Sequence, residues 1–159
     1  MKHIIIITIF LALNLFSGEL KIKAKTFNAD QKSGISIFEG DVNIVKGTDE
    51  LNASKVTVYT DSNQEPIKFV AEGSASFTIQ TLEGSLYKGK AEKVIYIPKE
   101  KEYHFFKNVQ LNQINEKKEI HGEEVILKTV EGKAYAKGAD KEPVIMIFDM
   151  PEENEKKNK

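Results

Sequence analysis

The sequence predicts an all-β domain, a β-roll or jelly roll in which two sheets face each other. Three observations carry this prediction. After residue 18 the apolar residues alternate with polar ones, turn-forming residues separate the alternating runs, and the runs resemble one another. Alternation with a period of two is typical of strands buried on one face. No window of about a dozen residues in this part of the chain keeps the apolar spacing of an amphipathic helix.

Residues 1–17 are predicted to be a signal peptide. Lys2 and His3 precede an apolar run from Ile4 to Leu13, and the small residues Ser17 and Gly18 follow. A short basic start, an apolar stretch of about 7–15 residues and a small-residue exit are typical of export signals. A retained membrane helix, the alternative, needs about 20 apolar residues. We therefore expect cleavage after Ser17 and a mature protein outside the cytoplasm.

The strands are predicted from the alternating runs and the turns between them. From Ile67 to Ile79 every odd position is apolar or small, which predicts one long strand or two strands broken at Gly73. Clusters of Asp, Asn, Gly and Pro mark turns at 30–34, 46–49, 61–66, 82–85, 98–101, 115–118 and 138–143. This spacing predicts about one strand for every eight to twelve residues.

Two short sequence elements recur alternately along the chain. One reads Gly-Asp-Val-Asn-Ile at 40–44 and returns at 73–77 and 107–111, with a weaker copy at 132–135. The other begins at 24, 53, 91 and 122. Recurrence at a spacing of a few tens of residues favours a stacked architecture, in which each unit buries its apolar face against its neighbours.

The apolar alternation also slips by one position within several runs, near Gly40, Ala53 and Ala91. A one-residue slip sends the following side chains to the other face unless a bulge or bend absorbs it. The slips therefore predict strands that bend and pass from one sheet to the second.

The paired elements resemble the OstA-like (LptA) family of periplasmic lipopolysaccharide-transport bridge proteins. The most specific stretch is Phe-Glu-Gly-Asp-Val-Asn-Ile-Val-Lys-Gly at 38–47, followed by Leu-Asn-Ala-Ser-Lys-Val-Thr-Val at 51–58. The similarity extends from about residue 19 to about residue 149. Lys107, where the other copies have Gly, and a short loop after Gly84 depart from the pattern.

The resemblance implies a slightly twisted, open β-jelly-roll of two facing antiparallel sheets over residues 18–150. It also implies a function: carriage of lipopolysaccharide across the periplasm, from the inner to the outer membrane, in a multi-copy bridge. The implied partners are lipopolysaccharide, the inner-membrane and outer-membrane components of the export machinery, and further copies of the chain in head-to-tail association.

By position match to the family's groove, Leu20, Ile22, Phe77 and Tyr96 are expected to contact lipid. The expected lining continues through Val42, Ile44, Val56, Val58, Ile79, Val94, Val109 and Leu111. Each methylene moved from water into such a groove gains about 0.8 kcal/mol. The alternative is that these side chains are ordinary core, and the choice depends on whether the two sheets close or splay apart.

The segment Val144–Phe148 is apolar at every position and lies between Pro143 and Pro151. It predicts a C-terminal edge strand that pairs with the N-terminal strand of the next copy or of a partner. The expected edge residues are Ile22, Ala24, Val144, Met146 and Phe148. The alternative is an edge protected by its prolines and by its own tail. Residues 151–159 are expected to be a disordered charged tail.

Composition excludes several other classes of function. The chain has no cysteine, and its 23 basic and 24 acidic residues are interleaved, which argues against a nucleic-acid partner. His104 and His121 lack partners at metal-ligand spacing, and no phosphate loop or nucleophile motif is present. We therefore expect no enzyme, cofactor or metal site. Two alternatives stay open: a membrane-tethered LptC-like partner of the same pathway, and a structural β-solenoid without a lipid ligand.

Overall fold

The structure, a computed structural model, describes residues 18–151, and these residues form ten β-strands and no helix. The strands are β1 (Leu20–Lys23), β2 (Thr26–Asp30), β3 (Ile35–Lys46), β4 (Asp49–Thr60), β5 (Pro66–Gln80), β6 (Leu86–Ile97), β7 (Glu102–Gln113), β8 (Lys118–Lys128), β9 (Lys133–Lys137) and β10 (Ile145–Phe148). The all-β prediction is confirmed. The predicted signal peptide and the predicted charged tail beyond Pro151 lie outside the described residues.

All ten strands belong to one antiparallel sheet, and β3 to β8 pair in the order in which they follow one another in the chain. The order is β1-β3-β4-β5-β6-β7-β8-β10, with β2 also paired to β3 and β9 also paired to β8. At the first edge, β1 and β2 pair with opposite ends of β3. At the last edge, β10 and β9 pair with opposite ends of β8. The short hairpins follow from the turn residues that the sequence places between the strands.

Each long strand is bent near its middle. The pairing register shifts between Glu39 and Val42 in β3, and at the equivalent point of every following long strand. The backbone at the bend of β5 is left-handed, with φ of 83° at Gly73 and 52° at Ser74. A Cβ atom at Gly73 would lie 2.6 Å from the Ser54 side chain, so this bend requires glycine. The predicted bends are confirmed, and 66–80 is one bent strand rather than two.

Lys107 occupies the corresponding bend of β7 with a φ of 64°. It therefore keeps the bend conformation of Gly40 and Gly73, although a side chain in this region is sterically disfavoured. The replacement of glycine by lysine in this copy of the repeated element therefore leaves the bend unchanged.

The bends fold the sheet into two facing layers. Layer 1 consists of β2, β9 and the segments 35–39, 55–60, 66–72, 93–97, 102–106 and 124–128. Layer 2 consists of β1, β10 and the segments 42–46, 49–52, 75–80, 86–90, 109–113 and 118–122. The two predicted sheets are thus halves of one hydrogen-bonded sheet, and the core lies between them.

Candidate functional site: the cleft between the two layers

The structure brings the twelve predicted lining residues to the inner surfaces of the two layers. Eight of them belong to the buried core: Val42, Val56, Val58, Phe77, Ile79, Val94, Val109 and Leu111. Ile22, Ile44 and Tyr96 are partly buried and pack against that core. Leu20 is 39% exposed and lines a cleft between the layers. Their shared orientation follows from the cross-strand register, because directly opposite residues of paired strands project to the same face.

The cleft lies on the side of the N-terminal strands and has a volume of about 50 Å³. Six of the predicted residues line it, namely Leu20, Ile44, Val56, Ile79, Val94 and Tyr96. A water molecule occupies about 30 Å³ of liquid and a ligand pocket typically measures about 300–1,000 Å³. The cleft therefore has room for only a few waters, and an acyl chain would enter it only after the layers move apart.

The other six predicted residues do not line the cleft. Phe77, expected to contact lipid, is 4% exposed and stacks on Phe105 of the opposite layer with ring centroids 4.3 Å apart. In this conformation it is a core residue. Along the inner surfaces the chain therefore combines a packed core with a narrow cleft.

Sequence reasoning missed several residues of the cleft wall. Leu51, Phe69, Ala71 and Tyr103 complete its apolar lining, and Lys46, Asp49 and Glu50 stand at its rim. The pairing register contains the signal that would have found them. Leu51 lies opposite Ile44, and Phe69 and Tyr103 both lie opposite Tyr96.

One long side of the cleft is the bend itself, and the opposite margin is formed by turns of the two layers. Within residues 18–151, two hydrogen bonds cross this margin. The Tyr103 hydroxyl of layer 1 donates to Asp49 Oδ2 of layer 2 at 3.0 Å. The backbone N–H of Leu82, in the β5–β6 turn, donates to the carbonyl of Thr129, in the β8–β9 turn, at 3.1 Å. The layers are therefore connected at two points along their free margin.

In the first of these contacts the Tyr103 hydroxyl stays protonated and acts as the donor. Burial, and secondarily the negative charge of Asp49, raises the pKa of Tyr103, so its hydroxyl keeps its proton at any physiological pH. The ring of Tyr103 stacks on Tyr96 with centroids 4.4 Å apart. The second carboxylate oxygen of Asp49 accepts the backbone N–H of Gln80 at 2.9 Å, which fixes the acceptor as well.

The two layers are displaced relative to each other along the direction of stacking. Asp49 lies on the third strand of layer 2, whereas its partner Tyr103 lies on the sixth strand of layer 1. The inner face of each layer is consequently uncovered at one end of the molecule. At the N-terminal end the inner residue Phe27 is 62% exposed, and at the C-terminal end the inner residues Met146 and Phe148 are 49% and 50% exposed.

The predicted edge residues lie at these two ends. Ile22 is on β1, which is an edge strand of layer 2, and Ala24 is exposed in the connection to β2. Met146 and Phe148 are on β10, the opposite edge strand of layer 2. Val144 was expected within this strand, but β10 begins at Ile145 because the chain pairs with β8 only from that residue on. All four residues of β10 are exposed.

The two histidines of the described chain each contact a carboxylate two residues earlier on the same strand. His104 Nε2 lies 3.1 Å from Glu102 Oε2, and His121 contacts Glu119. In residues 18–151 no group of three or more His, Asp or Glu side chains is arranged to hold a metal ion. Over the same residues there is also no helix with the length and apolarity needed to cross a membrane.

Comparison with known proteins places this arrangement in a family. The family model described as LptA/(LptD N-terminal domain) LPS transport protein matches residues 21–133, more than two thirds of the chain. A solved structure with a similar fold is LptH, the LptA homologous periplasmic component of the conserved lipopolysaccharide transport device from Pseudomonas aeruginosa. It superposes with a TM-score of 0.74 at 18% sequence identity, covering 84% of this chain and 96% of that one. No match was found among curated protein sequences. The chain therefore belongs to the LptA/LptD N-terminal domain family of lipopolysaccharide transport proteins.

Proposed function

We propose that the protein binds the acyl chains of lipopolysaccharide between its two layers. As one copy of a head-to-tail bridge, it would carry the lipid across the periplasm from the inner to the outer membrane. The observation that carries the proposal is the apolar cleft between two layers that are continuous along the bend and held at the free margin by hydrogen bonds, in a member of a lipopolysaccharide transport family. A continuous apolar lining offsets the cost of exposing methylenes to water without any chemical step.

The mechanism requires the layers to separate. The six long strands, β3 to β8, bend along one line and form a continuous hinge, so the free margins can move apart while the backbone hydrogen bonds within each layer persist. Acyl chains would then contact first the residues that already line the cleft, Ile44, Ile79 and Tyr96 among them. Core residues such as Phe77 and Leu111 would be reached only after further opening.

The edge strands support the head-to-tail association. β1 and β10 are both edges of layer 2 and have four residues each, whereas β2 and β9 are both edges of layer 1 and have five residues each. If β10 of one copy lies beside β1 of the next, and β9 beside β2, the antiparallel alternation of both layers continues. Paired edges satisfy backbone groups that otherwise invite uncontrolled aggregation.

The displacement of the layers supports the same association. The uncovered inner surface at the C-terminal end carries Met146 and Phe148, and the uncovered inner surface at the N-terminal end carries Phe27. In a head-to-tail stack the overhanging part of layer 2 in one copy would cover the overhanging part of layer 1 in the next. The apolar lining would thereby run through the junction. The ends of such a stack would present the same edges to the inner-membrane and outer-membrane components of the export machinery.

Photo-crosslinking to lipopolysaccharide tests the lipid site. A photoreactive residue at Tyr96, on the cleft wall, is expected to crosslink to lipopolysaccharide in the cell envelope, and one at Phe77 to crosslink more weakly because it is buried. Ser76 and Ile95, the neighbours on the same strands, face outward and are the matched controls. Absence of crosslinks at every lining position would contradict the proposal. It would favour a structural β-solenoid without a lipid ligand instead. The small volume of the cleft supports that alternative.

The N-terminal segment decides between two roles in the same pathway. Cleavage after Ser17 would give a periplasmic bridge protein, whereas a retained segment would give a membrane-tethered, LptC-like partner. N-terminal sequencing of the exported protein distinguishes them: Gly18 at the N-terminus supports the bridge, and an intact Met1 supports the tether.

A further inference from the structure

We propose that the hydrogen bond between Tyr103 and Asp49 is a clasp that holds the free margins of the two layers together over the cleft, and that acyl chains are admitted when it opens. The inference rests on the proposed function, because it identifies the contact that sets the width of the same cleft. Both residues line the cleft, and they belong to opposite layers.

Tyr103 and Asp49 are each held in position by other neighbours, independently of the hydrogen bond between them. Tyr103 is 9% exposed, its ring stacks on Tyr96, and the ring of Phe105 lies 6.1 Å away between centroids. Asp49 begins β4 next to the β3–β4 turn, and its other oxygen is occupied by the N–H of Gln80. The side chain of Thr48 adds a hydrogen bond to Gln80 at 3.0 Å. Donor and acceptor are therefore positioned before they meet, and such bonds to a charged acceptor are the stronger ones.

The position of the clasp explains why it would control access. The cleft of about 50 Å³ lies between the inner faces of the layers, and its rim residues include Lys46 and Glu50 beside Asp49. Widening it to accept an acyl chain moves Tyr103 and Asp49 apart. The second crossing contact, between Leu82 and Thr129, lies nearer the C-terminal strands and joins backbone atoms of two turns. The side-chain clasp is thus the contact that must be released first at the cleft itself.

The clasp differs in kind from the apolar packing around it. Its release exchanges one partly buried hydrogen bond for contacts with water, and the Asp49 carboxylate at the rim can be solvated once it is free. A hydrogen bond to a charged group changes an equilibrium by about tenfold or more. Removing the Tyr103 hydroxyl is therefore expected to shift the equilibrium towards separated layers by about that factor, while the ring keeps its stacking on Tyr96.

The experiment combines a distance measurement with lipid binding. The chain has no cysteine, so nitroxide labels can be placed at Lys88→Cys, exposed on β6 in layer 2, and at Glu100→Cys, in an exposed turn of layer 1. Pulsed electron resonance then reports the separation of the margins without any ligand. Tyr103→Phe is expected to broaden the distance distribution towards longer separations. Asp49→Asn, which keeps a neutral acceptor, is expected to do so less. Tyr59→Phe, which removes a hydroxyl from a tyrosine next to Lys68 outside the cleft, is the matched control.

Binding is measured on the same variants with a fluorescent long-chain fatty acid and with purified rough lipopolysaccharide. Tyr103→Phe is expected to bind the fatty acid about tenfold more tightly than the wild type. A variant that had merely lost stability would bind more weakly and would not show a longer separation in its folded state.

The outcomes separate the clasp from the proposed function. An unchanged separation in Tyr103→Phe and Asp49→Asn, with normal lipid binding by the wild type, would overturn the clasp and leave the lipid site intact. If neither lipid bound to any variant, the wild type included, both the role of the clasp in loading and the proposed function would be overturned. A longer separation together with tighter binding would support both.

Discussion

Phe77 of layer 2 stacks on Phe105 of layer 1, with ring centroids 4.3 Å apart and planes inclined by 27°. The two rings come from strands that do not pair with each other, because β6 lies between β5 and β7. Their contact is therefore made across the interior, between the facing halves of the folded sheet. It divides the interior into a solid core around Phe105, which is fully buried, and the narrow cleft near β1 and β3.

This stack is expected to be a main source of the stability of the fold. Phe105→Ala should lower the free energy of unfolding by about 3–5 kcal/mol, because it removes a buried ring and leaves a cavity. Phe77→Ala should cost a similar amount. Urea denaturation of the single and double variants should give a coupling of about 0.5–1.5 kcal/mol beyond additivity. Phe27→Ala, at a site that is 62% exposed, is the control, and strictly additive effects at 77 and 105 would contradict the stacking.

A charge at the mouth of the cleft is expected to weaken acyl-chain binding without unfolding the protein. Leu20 is 39% exposed, so Leu20→Asp should fold, yet it places a carboxylate where the chain would enter. We expect at least about a tenfold loss of affinity for a fluorescent fatty acid, since burying or displacing the charge costs more than about 1.4 kcal/mol. Lys21→Asp, on the outer face of the same strand, is the matched control. Equal affinity of Leu20→Asp and the wild type would show that chains do not pass this point.

Charges on the C-terminal edge are expected to abolish head-to-tail association. Met146 and Phe148 are half exposed on β10, and a lysine at each position would place two cations in the proposed junction. Edge lysines are a common means of preventing strand pairing between molecules. Sedimentation velocity should show concentration-dependent oligomers for the wild type and a monomer for the double variant. Ile114→Lys, at an exposed apolar residue in the β7–β8 turn, should leave the oligomers intact. Oligomers that survive in the double variant would exclude β10 from the junction.

Glu102 is expected to contribute to the loss of stability in acid. Hydrogen bonds from His104 and then from Lys128 lower the pKa of the Glu102 carboxyl below its usual 4.5. A carboxyl whose pKa is lower in the folded state stabilises the protein above its unfolded-state pKa. That contribution disappears as the pH falls through the lower, folded-state value. Glu102→Gln should therefore lower the free energy of unfolding at about pH 7 and flatten its decline between about pH 5 and pH 3.

Chemical denaturation at several pH values checks this expectation, with Glu65→Gln, an exposed carboxylate of the β4–β5 turn, as the control for removing one negative charge. The same decline in acid for Glu102→Gln and the wild type would show that this ion pair does not influence folding.

The local patterns of the sequence determined most of the architecture. Alternation placed the strands, the turn residues separated them, and the slips at Gly40, Ala53 and Ala91 marked the line along which the sheet bends. These features depend on neighbouring residues only: side chains alternate between the faces of a strand, and a bulge reverses the faces. The inward orientation of Ile44 and Val94 could be predicted for the same reason.

Only the tertiary structure decided which inward residues line a cleft and which fill the core. Phe77 and Tyr96 follow the same alternation, yet one lies in a stack with Phe105 and the other on the cleft wall. The contact between Asp49 and Tyr103 joins residues 54 positions apart. It exists because the layers are displaced by two to three strands as they face each other. The distance between facing layers depends on the twist of the whole sheet and on side chains from strands remote in the chain, and no pattern of adjacent residues records it.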